Sequence, residues 1–189
     1  MRAEVRLEAR EKASRRFVHA RNHSSKLDIL KTYFTLSPCE GGGTFTDAQE
    51  MLMRQGVDLD AMVDAGFALY VGDDCEQAVR KLRGKFRDLL EKNLKDPNIG
   101  LLIAAAVHLD QIISSESSSI FRSSKDPAVL VADELIGMSI AEYIAGKKGL
   151  FNYVRYDKAK PGVLAKLSPF LDDAVAALVA GSMTKLFEE

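Results

Sequence analysis

An all-α fold is what this sequence predicts, and three observations predict it. Apolar residues recur at three- and four-residue intervals in every patterned segment, no segment sustains two-residue alternation, and three Asp–Pro or Ser–Pro pairs mark helix starts. With 189 residues, 47% of them hydrophobic, the chain can bury one core and is short of two full domains. Its 26 basic and 27 acidic residues nearly cancel, so no overall field draws it to nucleic acid or to an anionic membrane. Any electrostatic function must be local.

The first 43 residues differ from the rest. The run MRAEVRLEAREKASRRFVHARNHSSK is basic and poor in apolar residues, and SPCEGGGT follows it as a turn-forming stretch. Residues 1–43 therefore read as an appended basic helix and Gly-rich linker, and 44–189 as one helical domain. Within that domain TFTDAQEMLMRQG opens on cap-type residues and stops at Gly56, and DLDAMVDAGFALYVG runs from Asp58 to Gly72. The next segment, DDCEQAVRKLRGKFRDLLEKNL, sets Ala78, Val79, Leu82, Phe86, Leu89 and Leu90 at helical spacing.

Asp96-Pro97, Asp126-Pro127 and Ser168-Pro169 each pair a capping side chain with proline at the first helical position, where its missing N–H is not needed. The helices they open are expected to run roughly over 98–113, 127–145 and 169–187, with the polar SSESSS of 114–119 as a loop. The most apolar stretch, Ile99 to Leu109, is short of the ~20 residues that span a bilayer, so no membrane span is expected. His108 lies in that stretch and reads as a hydrogen-bonded core residue; His19 and His23 match no motif. Cys39 and Cys75 form neither a disulfide framework nor a zinc pattern, and a reducing cytoplasm is the expected location.

The chemistry concentrates in the last third. Residues 127–146, PAVLVADELIGMSIAEYIAG, are apolar nearly all round and are expected to form the buried centre, yet carry Asp133 and Glu134 in their middle. Buried carboxylates are costly unless cations or hydrogen bonds compensate them. Glu134, Gly137 and Ala141 share a helix face with Asp133 on its flank, while Glu142 lies further round and reads as exposed or bridging. A second pair, Asp172-Asp173, sits in the first turns of the last helix, followed by a small-residue face of Ala176, Ala177 and Ala180. If the two small faces pack together, with Gly137 and Ala141 on one side, four carboxylates converge. Such an oxygen set suits Mg²⁺ rather than zinc. Between the pairs, NYVRYDKAKPG reads as a basic loop in which Arg155 can grip a phosphate bidentately and Lys158 and Lys160 add point charge.

Taken in order, DPAVLVADELIGM, FNYVRYDKAKPG and LSPFLDDAVAALVAG resemble the signature of the phosphatidylglycerophosphatase A-like superfamily over residues 126–182. The earlier RQGVDLDAMVDAGFALY and LKDPNIGLLIAAAVHLD resemble its soluble members, particularly the archaeal-type alpha-ribazole phosphatases. The resemblance implies an all-helical hydrolase that cleaves phosphomonoesters with Mg²⁺. It implies alpha-ribazole 5′-phosphate, or its cobamide-linked form in assembly of the cobalamin lower ligand, as the small phosphorylated substrate. Carried over by motif, Asp133, Glu134, Asp172 and Asp173 are the catalytic and metal-binding acids. Asp126 joins them as a ligand or stands as a helix cap, and Arg155, Asp157, Lys158 and Lys160 form the substrate segment. Two alternatives remain open at this level: hydrolysis of phosphatidylglycerophosphate, and a non-catalytic helical interaction or Mg²⁺-sensing module on the same fold. Apolar and small-residue faces beyond those the core needs favour a homodimer.

Overall fold

The computed structural model describes residues 47–72, 75–114 and 131–188. The expected basic helix and linker of residues 1–43, most of the 114–119 loop, and Asp126 with Pro127 lie outside these residues. Six helices are described: α1 (Ala48–Arg54), α2 (Leu59–Ala68), α3 (Glu76–Leu94), α4 (Pro97–Ser114), α5 (Ala132–Ala159) and α6 (Pro169–Leu186), with a 3₁₀ turn at Gly162–Lys166 leading into α6. No strand occurs among the described residues, and the fold is all-α as expected.

Local chemistry starts three of these helices. The Asp47 carboxylate accepts from Gln49 N, Asp58 from Ala61 N at 2.7 Å, and Asp96 from Asn98 N at 2.8 Å, which satisfies donors that a helix N-terminus leaves unpaired. The expected side-chain cap at Ser168 is corrected: its hydroxyl makes no bond to its own helix and donates instead to Asp110 Oδ2 at 2.6 Å. Asp110, on α4, accepts from Phe170 N at 3.1 Å and from Leu171 N at 2.9 Å. The cap of α6 thus comes from a neighbouring helix and ties the two together. His108 is exposed rather than a core residue, because the face of α4 that packs inward carries Ile99, Ile103, Ala106 and Asp110. Among the described residues α4 is the one helix long and apolar enough to cross a bilayer by length and composition, but that buried face is occupied by protein contacts.

The centre of the molecule is α6. Every residue from Phe170 to Met183 is buried, and α2, α3, α4 and α5 all pack against it. This corrects the expectation for 127–146: Val131 and Leu135 are 58% and 56% exposed, and Tyr143 is also exposed. Helix α5 lies outside α6 and turns only the face of Asp133, Gly137, Ile140 and Ala141 inward. Apolar composition all round a helix buries every side only where neighbours surround it, and α6 rather than α5 holds that place.

The NYVRYDKAKPG segment is likewise corrected from loop to helix, since α5 continues to Ala159. It does so after a sharp break at Ala145 and Gly146, where φ and ψ leave the helical region; Gly146 takes φ +57°, ψ −150°, a conformation open to glycine. The two arms then fold back on each other. A Cβ on Gly137 would meet the Tyr153 hydroxyl at 2.6 Å, and one on Gly149 would meet the Ala141 carbonyl oxygen, so absent side chains let the arms close. Gly137 therefore makes room for Tyr153 of its own helix rather than for the alanine face of α6. The register is symmetrical about Ala145: Gly137 and Tyr153 lie eight residues either side, Ala141 and Gly149 four. Twelve residues either side stand Asp133 and Asp157.

Candidate active site

The reversal in α5 and the buried start of α6 bring acidic residues from three stretches of chain to one place. Asp133, Glu134 and Asp173 each present a carboxylate oxygen, and these oxygens lie within 4.8 Å of one another. Asp133 and Asp173 are buried and Glu134 partly so. Asp172, one residue earlier on α6, turns to a different partner: its Oδ2 accepts from Lys160 Nζ at 2.5 Å. Lys160 also lies 3.4 Å from Asp157. Of the four expected acids three therefore converge, and the fourth, Asp172, pairs with a lysine that also pairs with Asp157. Lys160 caps α5 in a left-handed conformation, φ +41°, which swings the chain toward the 3₁₀ turn while its ammonium reaches the acids.

The polar atoms here are incompletely satisfied. Glu134 Oε2, Asp172 Oδ1 and the Tyr153 hydroxyl are buried with no hydrogen-bond partner among the described residues. Their charges crowd accordingly. Hydrogen bonding to Asp133, reinforced by burial and by the charges of Asp133 and Asp157, pushes Glu134 up to about 7. Burial, and then the Asp172 charge, push Asp173 up to about 8. Asp172 is also raised, because burial outweighs the bond from Lys160. Burial opposes the charge on Lys160, but Asp172, Asp173 and Asp157 outweigh it and hold the ammonium above its ordinary value. Tyr153 is kept neutral far beyond the usual range, first by burial and then by Asp173.

A set of oxygen ligands in which Glu134 and Asp173 are raised and buried oxygens stay unpaired is short of positive charge. One lysine does not supply it. The site fits a hard divalent cation, which bonds carboxylate oxygens without requiring nitrogen or sulfur. Asp133, Glu134 and Asp173 have the arrangement to hold one.

The remaining expected residues are spread out. Lys158 is exposed on the outer face of α5. Arg155 is exposed as well; its Nη1 donates to Asn152 Oδ1 at 3.1 Å, and it lines a cavity of about 440 Å³ with Tyr70, Thr184 and Phe187. Eleven residues of α6 separate Asp173 from Thr184, about 16 Å at helical rise. The Arg155 guanidinium thus turns toward the C-terminal part of α6, whereas the Lys160 ammonium reaches Asp172 near its N-terminus.

Two residues at the site escaped the sequence reading. Asp110, an acid inside an apolar helix, carried the same signal that singled out Asp133 and fixes where α6, with Asp172 and Asp173, begins. Tyr153 gave no signal, since only the reversal at Gly146 brings it beside the acids.

A family model for phosphatidylglycerophosphatase A matches residues 29–188. The uncharacterized protein MJ1330 of Methanocaldococcus jannaschii is 40% identical over 130 residues, covering 67% of this chain and 100% of its own length. Among solved structures, the low temperature requirement C protein from Listeria monocytogenes superposes with a TM-score of 0.65 at 25% identity, covering 76% of this chain and 94% of that one. A protein of unknown function from Bacillus stearothermophilus superposes equally well, TM-score 0.65, at 22% identity over 77% of this chain and 99% of that one; this second likeness shows the fold alone. With a match across most of its length and an acidic triad in place, the chain belongs to the phosphatidylglycerophosphatase A family of metal-dependent phosphatases acting on phosphate esters.

Proposed function

We propose that the protein is a Mg²⁺-dependent phosphomonoesterase acting on a small nucleotide-like substrate, alpha-ribazole 5′-phosphate or its cobamide-linked form. The observation that carries the chemistry is the convergence of Asp133, Glu134 and Asp173 within 4.8 Å beside unpaired buried oxygens. The substrate reading is supported by the likeness of the segments around Asp58 and Asp96 to soluble alpha-ribazole phosphatases. Asp126, which the same motif suggests as a further ligand or a cap, lies outside the described residues.

In this reading Asp133, Glu134 and Asp173 hold Mg²⁺, which supplies Lewis acidity against phosphoryl oxygens. Lys160 is kept at the site by Asp172 and Asp157 and offers its ammonium to the phosphate. Tyr153 stays protonated, so its hydroxyl keeps a proton to donate. The buried wall of α6 keeps bulk water from the acids, which strengthens every charge interaction among them.

The test is phosphate release from alpha-ribazole 5′-phosphate and from phosphatidylglycerophosphate micelles, each titrated with Mg²⁺ and then chelated. Turnover of the first that disappears on chelation supports the proposal. Preference for the lipid would reassign the substrate, and Mg²⁺ binding without turnover of either would favour the non-catalytic module.

A further inference from the structure

The C-terminal arm of α5 carries an outward face that the site does not use. At 100° per residue Lys147, Phe151, Val154 and Lys158 fall within roughly 60° of one another, with Arg155 and Lys148 some 40–60° further round. All six are exposed, whereas Gly149, Tyr153 and Tyr156 on the opposite side are buried. Phe151 is 75% exposed, an unusual position for a phenylalanine in a water-soluble helix. Arg155 extends the face toward Phe187, which shares the walls of the 440 Å³ cavity with it and is 55% exposed.

The charges that α5 itself contributes to this face have one sign. Lys148 meets Glu188 at 3.2 Å, but Lys147 and Lys158 have no ion pair among the described residues, and Arg155 bonds only the neutral Asn152. Exposed aromatic and branched side chains flanked by cations complement a surface that is apolar beneath and anionic above. A second copy does not fit as well, because pairing this face with itself would set lysines against lysines.

We propose that this face docks the protein peripherally on anionic lipid bilayers, with Phe151, Val154 and Phe187 entering the interface and Lys147, Lys148, Arg155 and Lys158 meeting headgroup phosphates. Docking is independent of which phosphate ester the acids hydrolyse. Lys158 adjoins Asp157 at the end of α5 nearest the acids, so a docked molecule carries its site close to the membrane surface.

The test is co-sedimentation of the full chain with phosphatidylcholine vesicles and with vesicles containing one third phosphatidylglycerol. Wild type should bind the anionic vesicles, release at high salt and ignore the neutral ones. Phe151→Ser and Lys147→Glu should each weaken binding about tenfold while circular dichroism and melting stay unchanged; Lys81→Glu, an equal charge change on exposed α3, should not. The basic residues before position 44 are common to every variant, so differences between variants report on this face. Equal loss with Lys81→Glu, or no loss with Phe151→Ser, would overturn the proposal. Absence of wild-type binding to either vesicle, with retention on immobilised polyglutamate instead, would overturn it in favour of an acidic protein partner.

Discussion

The two ends of α6 are built from similar residues and treated in opposite ways. Near its C-terminus the polar groups satisfy one another: Asn152 donates to Ala180 O at 3.0 Å and to Thr184 Oγ1 at 3.2 Å, Thr184 donates back to Ala180 O, and Asn93 donates to Ser182 Oγ. Near its N-terminus, one oxygen each of Glu134 and Asp172 and the Tyr153 hydroxyl stay buried without hydrogen-bond partners among the described residues. A fold that can complete its hydrogen bonds at one end and leaves them open at the other marks the second end for something from outside.

The sharpest way to break this contrast is Asp173→Asn, which keeps the shape and removes one charge. Turnover should fall by ~100-fold or more, and melting without metal should rise or hold as like-charge repulsion is relieved. Activity and folding lost in parallel would make the acids structural. Asp110→Ala should come next, at about 2 kcal/mol of stability in urea titrations, because it strips the cap from α6 and leaves Phe170 N and Leu171 N buried without acceptors.

Lys160→Gln should lower turnover roughly tenfold, since it removes a cation the proposal sets against phosphate. It should also raise the Mg²⁺ response of the melting temperature, because Asp172 loses its partner. Thr184→Val, at the satisfied end, should cost about 1 kcal/mol or less and leave that response unchanged. A separate effect is expected in pH. Folded Glu134 and Asp173 keep protons up to about 7 and about 8, against ordinary values of 4.5 and 3.8, so the folded state binds more protons than the unfolded one across that range. Metal-free stability should therefore decline as pH rises from about 4 to 8 and level off above. A thermal series in which metal-free stability increases with pH would contradict the crowding described at the acid end.

Helix type and most helix ends were legible because caps, glycines and apolar spacing act locally. Gly56 and Asp58 marked their boundaries, and the pairs Asp133-Glu134 and Asp172-Asp173 stood out as acids in apolar helices. What failed depends on neighbours. Val131 and Leu135 have the same apolar character as Val175 and Leu178, and only the packing of four helices round α6 decides which are covered. Helix periodicity read NYVRYDKAKPG as a loop because it is charged, although Tyr153 and Tyr156 keep helical spacing on its buried side. The surroundings of Arg155 were not legible for the same reason, since its position follows from the reversal at Gly146.

That reversal also makes the length of α5 a fixed quantity. Because Gly137 meets Tyr153 and Ala141 meets Gly149 by counting equally from Ala145, one residue inserted into either arm would turn everything beyond it by about 100° and carry Asp133 or Asp157 out of that register. The arms can therefore lengthen or shorten only together, and natural variation in chain length should gather before Ala132 or after Ala159, leaving the span between them nearly constant.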